Sequence, residues 1–248
     1  MLSRSDFFKR YELKFLINKE QKDRLMHTIL NYMKLDKYGR SKIINLYFDT
    51  DNYRLIRASI EKPVYKEKLR IRSYGKATPD STVFVELKKK YNHIVYKRRV
   101  EMKHDEAIDW VISGKIPLNY TQIHREIDYF LSFYKELKPL TYLSYEREAY
   151  YTVEPSDFRV TFDDNIIFRQ NDVSLTSDIY GKHIINNDAI LMEIKCSGAI
   201  PLWFVEQLSK EKIYKTSFSK YGTAYRNYIL PYLNSKENPI IKEQMVYE

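Results

Sequence analysis

Between Lys68 and Lys90 the chain reads Lys68-Leu69-Arg70-Ile71-Arg72 and then Val83-Phe84-Val85-Glu86-Leu87-Lys88. Apolar and charged residues alternate, the period of a strand whose two faces differ. Leu69 and Ile71 share one face, and Lys68, Arg70 and Arg72 share the other. Val83, Val85 and Leu87 likewise oppose Glu86 and Lys88. Residues 75–81, with Gly75, Pro79, Asp80 and Ser81, have the composition of a hairpin loop. One face of this antiparallel pair therefore gathers cations, and like charges facing each other across a ladder are destabilising. A solvated outer face accounts for one such strand. It accounts less well for a pattern that repeats.

The pattern does repeat. Residues 8–17 read as a strand, with Tyr11, Leu13, Phe15 and Ile17 on one face and Arg10, Glu12 and Lys14 on the other. Asn18-Lys19-Glu20-Gln21 is a capping box that opens a helix. Leu25, Met26, Ile29, Leu30 and Met33 form its apolar stripe. Residues 42–50 are a more apolar strand, covered on both sides, and 51–59 a short helix. Residues 92–102 form a third strand beside the first pair, with Lys97, Arg99 and Glu101 on one face. A short helix over 105–113 ends at Gly114, and a longer one over 122–137 is stopped by Pro139. A Tyr-rich strand over 140–151 carries Arg147. Residues 158–164 form another strand, which 166–170 is expected to pair across an Asp164-Asn165 turn. In residues 189–196, Ile190, Met192, Ile194 and Cys196 alternate with Glu193 and Lys195. Pro201 sits at the first position of a helix, and 219–233 form the last one. The tail from Ser235 is polar and frayed. One domain is expected over residues 1–234, with a polar tail over 235–248.

Composition narrows the partners. The net charge of +9 points to an anion: nucleic acid, an acidic membrane surface or a polyphosphorylated small molecule. With Gly at 6 residues there is no phosphate-cradling glycine-rich loop, so side chains must hold any phosphate. The 23 tyrosines suit β structure and would also suit base stacking. A single Cys excludes an internal disulfide and makes a reducing, cytoplasmic setting the expectation. The first residues lack an apolar signal core, and no apolar run reaches membrane-spanning length.

Helices with single apolar stripes alternate with strands whose second faces are charged. An α+β fold in which an antiparallel sheet closes into a barrel, polar inside and helix-covered outside, satisfies both. Repulsion among cations at a few ångströms is on the order of 1 kcal/mol per pair even at high effective dielectric. A bound polyanion would neutralise them. Glu12, Glu86, Glu101 and Glu193 read equally as ion-pair partners within such a face.

The order of these motifs resembles the polyphosphate polymerase domain of the vacuolar transporter chaperone (VTC) family. That family belongs to the triphosphate tunnel metalloenzymes, which include the CYTH proteins. The resemblance runs from Phe8 to about Tyr232. It is carried by Arg10-Tyr11-Glu12-Leu13-Lys14, Lys68-Leu69-Arg70-Ile71-Arg72, Val85-Glu86-Leu87-Lys88 and Lys97-Arg98-Arg99. Tyr145-Glu146-Arg147, Arg159-Val160-Thr161-Phe162-Asp163, Met192-Glu193-Ile194-Lys195 and Phe218-Ser219-Lys220-Tyr221 complete it. The implied fold is a closed eight-stranded antiparallel tunnel with helices packed outside. The implied reaction transfers the γ-phosphoryl group of ATP to a growing polyphosphate chain with a divalent metal, manganese or magnesium. The resemblance implies catalytic roles for Arg70, Arg72, Lys88 and Arg147, and phosphate binding by Lys14, Lys97, Arg159, Lys195 and Lys220. It implies metal binding by Glu193 and Glu12. The expected partners are ATP or another triphosphate and inorganic polyphosphate. Nucleic acid is disfavoured, and a membrane partner protein is not visible in the sequence.

Arg10 stands where the CYTH signature Glu-x-Glu-x-Lys has its first Glu, which favours the VTC branch over the hydrolase branch. A polyphosphate end is already an oxyanion, so its extension needs positioning and charge stabilisation rather than a strong base. Two other readings remain: a tripolyphosphate or nucleoside-triphosphate hydrolase on the same scaffold, and a non-catalytic polyanion or nucleic-acid binding module. His27, His93, His104, His124 and His183 show no metal-ligand spacing and read as surface or incidental residues. Cys196 reads as a small core residue. Ser219 reads as a phosphate contact or a helix cap.

Overall fold

The computed structural model describes residues 11–92, 94–154 and 156–237. In chain order these form β1 (Tyr11–Asn18), α1 (Lys19–Tyr32), β2 (Met33–Leu35), β3 (Ser41–Asp49) and α2 (Arg54–Ile60). Next come β4 (Tyr65–Tyr74), β5 (Thr82–Tyr91), β6 (Ile94–Lys103), α3 (His104–Ser113), α4 (Gln122–Tyr134) and β7 (Lys138–Thr152). The chain continues through β8 (Arg159–Arg169), β9 (Lys182–His183), β10 (Ala189–Cys196), α5 (Leu202–Lys210) and β11 (Lys215–Thr216). Last are α6 (Lys220–Ala224), a π-helical turn (Tyr225–Ile229) and α7 (Leu230–Glu237). Phe8 and Arg10 of the expected first strand, His93, and residues 238–248 of the expected tail lie outside the described residues.

The chain divides into two compact units. Among the described residues, unit 1 comprises 11–43, 145–154, 156–166 and 185–218; unit 2 comprises 44–92, 94–144, 167–184 and 219–237. β3, β7 and β8 contribute residues to both.

In unit 1 the hydrogen-bonded strand order is β11-β1-β10-β8-β7, with β2 on β7. β1, β10 and β8 are antiparallel, with Lys14 opposite Glu193 and Glu193 opposite Thr161. That register sends Phe15, Met192 and Phe162 to the other face, where Leu25 and Ile29 of α1 and Phe204 of α5 pack on them. Each such side chain, removed from water, contributes on the order of 2 kcal/mol. Cys196 is buried in this core, as its apolar-face position implies. The Asn18 side chain accepts from the backbone of Gln21, and Gln21 returns the bond, so the capping box forms. Leu30, assigned to the apolar stripe, is instead 61% exposed.

In unit 2 the order is β7-β3-β4-β5-β6, with β9 on β8. Leu69, Ile71, Val83, Val85 and Leu87 pack with Ile44, Leu46, Phe48, Trp110 and Phe130 in one apolar core under α3 and α4. Gly114, at φ +73°, closes α3 in the left-handed conformation that lets its N–H return to the helix. Among the described residues neither strand order returns on itself. The architecture is mixed α+β around antiparallel sheet, as the alternating pattern implied.

Four boundaries differ from the sequence reading. Residues 158–164 and 166–170 are not a hairpin: β8 runs through both, with Asn165 at φ +46° inside it. Asn tolerates left-handed backbone, so the Asp164-Asn165 signal marks a kink rather than a reversal. α4 ends at Tyr134, before Pro139, because Lys135 and Glu136 take φ +50° and +47°; Pro139 lies within β7. Pro201 caps α5 from outside instead of starting it. The last helix is broken by the π turn.

Candidate functional site

Unit 2 gathers cations around one carboxylate. Ladder register places Arg70 of β4, Glu86 of β5 and Arg99 of β6 in one row, and Lys68, Lys88 and Lys97 in the next. Glu86 is 1% exposed and lies at the floor of the group. Arg70 reaches it through Nε at 2.8 Å and Nη2 at 2.7 Å, and its Nη1 donates to the Tyr47 hydroxyl at 3.0 Å. Lys97 Nζ stands 2.5 Å from the other carboxylate oxygen. The Nε atoms of Arg72 and Arg99 each lie 3.9 Å from the carboxylate. Arg72 donates to Asn45 Oδ1 at 2.9 Å, and the Arg99 guanidinium lies 3.5 Å from the centre of the Phe84 ring. Burial alone would raise the Glu86 pKa. The charges of Arg70, Arg72 and Lys97 overcome it and hold the carboxyl ionised, well below the usual carboxylate range. Lys97 is pushed down, by burial first and by Arg70 and Arg72, with Glu86 opposing.

Lys66 lies one ladder step further, opposite Lys90, and donates to Ser59 O at 3.0 Å. Its pKa is lowered by burial and by Lys90, Lys62 and Lys88. Lys68 Nζ lies 3.4 Å from Ser219 Oγ, and Ser219 caps α6 by accepting from Gly222 N. Lys220 is the first residue of that helix. Tyr221 stacks on Tyr47 at 4.8 Å and donates to Asp49 Oδ2 at 3.0 Å. Asp49 also accepts from the backbone of Leu55 and Ile56 and so holds the start of α2. Burial raises its pKa despite those bonds.

Unit 1 is built differently. Glu193 of β10 faces Lys14 of β1, whose Nζ lies 3.5 Å from Glu193 Oε1, 3.2 Å from Glu12 Oε1 and 3.1 Å from Phe218 O. Arg147 of β7 lies 3.7 Å from Glu193 and grips Asp163 of β8 in a bidentate pair, Nε at 2.5 Å and Nη2 at 2.6 Å. Asp163 is fully buried. Burial disfavours the Arg147 charge, but Tyr145, Asp163 and Glu193 raise its pKa well above the ordinary value. Lys195 stands in register between Glu12 and Arg159, and Arg159 pairs with Asp36 at 2.9 Å. Arg40 and Lys42 bind Glu146, holding its pKa down to about 2 through the Lys42 hydrogen bond first.

Arg70, Arg72, Lys88 and Lys97 thus fall in one unit, with Lys220 on α6 of the same unit; Lys14, Arg147, Arg159, Lys195, Glu12 and Glu193 fall in the other. Glu12 and Glu193 offer hard carboxylate oxygens toward a single point held by the Lys14 ammonium. Two such donors fit a divalent cation of the magnesium or manganese kind, which keeps waters and takes few protein ligands. Among the described residues no group of three His, Cys, Asp or Glu side chains is placed to hold a metal.

Sequence reasoning missed several residues. Asn45 and Tyr47 alternate with the apolar Ile44, Leu46 and Phe48, yet strand β3 as a whole is so apolar that this second face is hard to see. Asp163 anchors Arg147 from another strand, a role that the alternation of its own strand does not announce. Arg99 shares the named face of β6. His104 and His124 are buried, not at the surface: His124 closes the capping box of α4 with Thr121, and His104 pairs with Asp105 at 2.8 Å. Tyr142 and Tyr145 are buried, so the Tyr-rich strand serves packing.

Among the described residues no helix is long and apolar enough to cross a membrane. A candidate adenylate cyclase from Bacillus halodurans superposes with TM-score 0.54 at 17% identity, covering 89% of this chain and 99% of that one. A candidate adenylyl cyclase from Hippeastrum, described as having a dominant triphosphatase activity, superposes with TM-score 0.51 at 16% identity, covering 87% and 94%. These likenesses show that the chain shares the fold of those two proteins. No match was found among curated proteins. The model of the VTC domain matches residues 9–229, nearly the whole chain, and the protein therefore belongs to the VTC domain family.

Proposed function

We propose that the protein is a metal-dependent phosphotransferase that extends inorganic polyphosphate from the γ-phosphoryl group of ATP. The observation that carries the reading is the group around Glu86, where Arg70, Arg72, Lys97 and Arg99 surround the carboxylate. In these ladder rows the cations outnumber the acids, with Lys68 and Lys88 in the row adjoining Arg70, Glu86 and Arg99. Such an excess suits a multiply charged anion held by side chains. Guanidinium forks fit non-bridging phosphate oxygens, and ammonium groups add point charge. Closure of the strands into an eight-stranded barrel, which the family resemblance implies, is part of the same proposal.

In unit 2, Arg70 and Lys97 hold phosphate oxygens, Arg72 and Lys88 support them, and Lys220 adds a cation from α6. In unit 1, Arg147 is fixed by Asp163 and presents a permanent charge, while Lys14 balances Glu12 and Glu193. Arg159 and Lys195 extend that unit's basic set. Glu193 and Glu12 would hold a divalent metal. When bound, that ion supplies neutralisation of charge on phosphate oxygens. Phosphoryl transfer depends on positioning and electrostatic stabilisation, both of which this chain's cations provide.

Purified protein incubated with ATP and manganese or magnesium, with phosphate products resolved by chain length, tests the reading. A ladder of lengthening polyphosphate is the expected result. Release of orthophosphate without a ladder would instead make the protein a hydrolase, the activity that the description of the Hippeastrum relative brings forward. Absence of turnover would leave a binding module.

A further inference from the structure

We infer that Glu86 is a positioning residue that holds Arg70 and Lys97 in the arrangement that receives the anionic substrate. The inference rests on the reading of unit 2 as an anion-binding centre. Glu86 is 1% exposed, whereas the side chains of Lys97 and Arg99 are 42% and 37% exposed. The carboxylate therefore lies beneath its cations, and their outward sides remain open to solvent. Arg70 is fixed at three nitrogens, two on Glu86 and one on Tyr47.

Without the carboxylate, mutual repulsion would drive these cations apart. The Lys97 ammonium would also lose the partner that favours its charged form. Facing Lys97 are Glu86 and Lys88 of β5, Lys68, Arg70 and Arg72 of β4, and Arg99 of its own strand. Glu86 is the acid in that set, and it is what opposes burial and the neighbouring arginines at the Lys97 amine. An anion site with a fixed acidic floor holds its cations charged and aligned before substrate arrives. The organisation energy is then not drawn from binding.

The test is calorimetric binding of inorganic tripolyphosphate in chelator, across pH 6 to 10 as an approximate range around the Lys reference pKa. It is run on wild type, Glu86→Gln, Glu86→Asp, and Glu86→Gln combined with Lys97→Arg. Glu86→Gln is expected to weaken binding at least about tenfold near neutral pH, the scale of one charge-assisted hydrogen bond. It should also move the alkaline loss of binding to lower pH. The added Lys97→Arg should restore the alkaline limb, because a guanidinium stays protonated. Glu86→Asp should show the same changes at smaller amplitude, and it serves if the Gln variant does not fold. Tighter binding in folded Glu86→Gln would identify Glu86 as a mere repulsive charge and overturn the inference. An unchanged affinity and pH profile with lower melting temperature would assign it a structural role and overturn it equally. Failure of wild type to bind tripolyphosphate would instead overturn the anion-binding reading itself.

Discussion

The charged faces of the two units look alike in sequence and differ in how their charge is closed. In unit 1 three of the candidate cations meet acids nearby: Arg147 has Asp163 and Glu193, Lys14 has Glu12 and Glu193, Arg159 has Asp36. In unit 2 Glu86 is shared by Arg70, Arg72, Lys97 and Arg99. A closed pair stores its electrostatic energy in the fold, and removing one partner strands a buried charge. On the proposed reading, a carboxylate shared in this way lets its cations also receive a ligand. The same alternation of Arg, Lys and Glu with apolar residues would then build a braced region and a receiving one.

The largest expected effect lies in the braced unit. Asp163→Ala leaves the Arg147 guanidinium buried without its bidentate partner and should cost about 3–5 kcal/mol of stability. Chemical denaturation would measure it. Arg70→Ala leaves Glu86 paired with Lys97, so its stability cost should stay near about 1 kcal/mol, the centre of ordinary substitutions. Equal costs for the two would erase the contrast.

Next in size is the effect of Glu193→Gln, which on the proposed reading removes a donor for a divalent ion and takes a charged partner from Lys14. Its metal midpoint for turnover should rise about tenfold or more, while tripolyphosphate binding in chelator stays the same or tightens. A metal titration read by turnover, beside calorimetry without metal, checks this. An unchanged midpoint removes Glu193 from the metal role.

The charged faces of both units were legible in the chain before folding. The alternation in β4, β5, β6 and β10 gave the strands and their charged faces, because a period of two leaves little freedom in which side a residue occupies. The capping box at Asn18 and the glycine at 114 marked helix ends with a stated geometry. Pairing was not legible. Nothing local to Arg147 tells that Asp163, on another strand, will take it, or that Arg70 will meet Glu86 and Tyr47. Those contacts depend on ladder register between distant segments. The Asp164-Asn165 step misled for a related reason: a left-handed Asn serves a turn and a kink equally, and only the continuing ladder decides between them.

A smaller effect follows from acid titration. Glu146, held to about 2 by Lys42 and Arg40, has its folded-state pKa below the unfolded value near 4.5. Glu86 is depressed in the same direction. Each contributes stability that is fully present above the unfolded pKa and is lost as pH falls through the folded one. Stability should therefore decline from about pH 4.5 toward about pH 2, and Glu146→Gln should flatten that slope slightly. Circular dichroism melts across this window would show it. The smallest effect concerns salt. Raising ionic strength should weaken tripolyphosphate binding, because several of the unit 2 cations are solvent-exposed, and should leave the denaturation midpoint shift of Asp163→Ala nearly unchanged.

The most direct test is calorimetric titration of tripolyphosphate, with chelator present, into wild type, Arg70→Ala and Glu193→Gln. The charge excess around Glu86 requires wild type to bind without metal, Glu193→Gln to bind at least as well, and Arg70→Ala to lose about tenfold or more in affinity. Arg70→Ala binding with the affinity of wild type would contradict it.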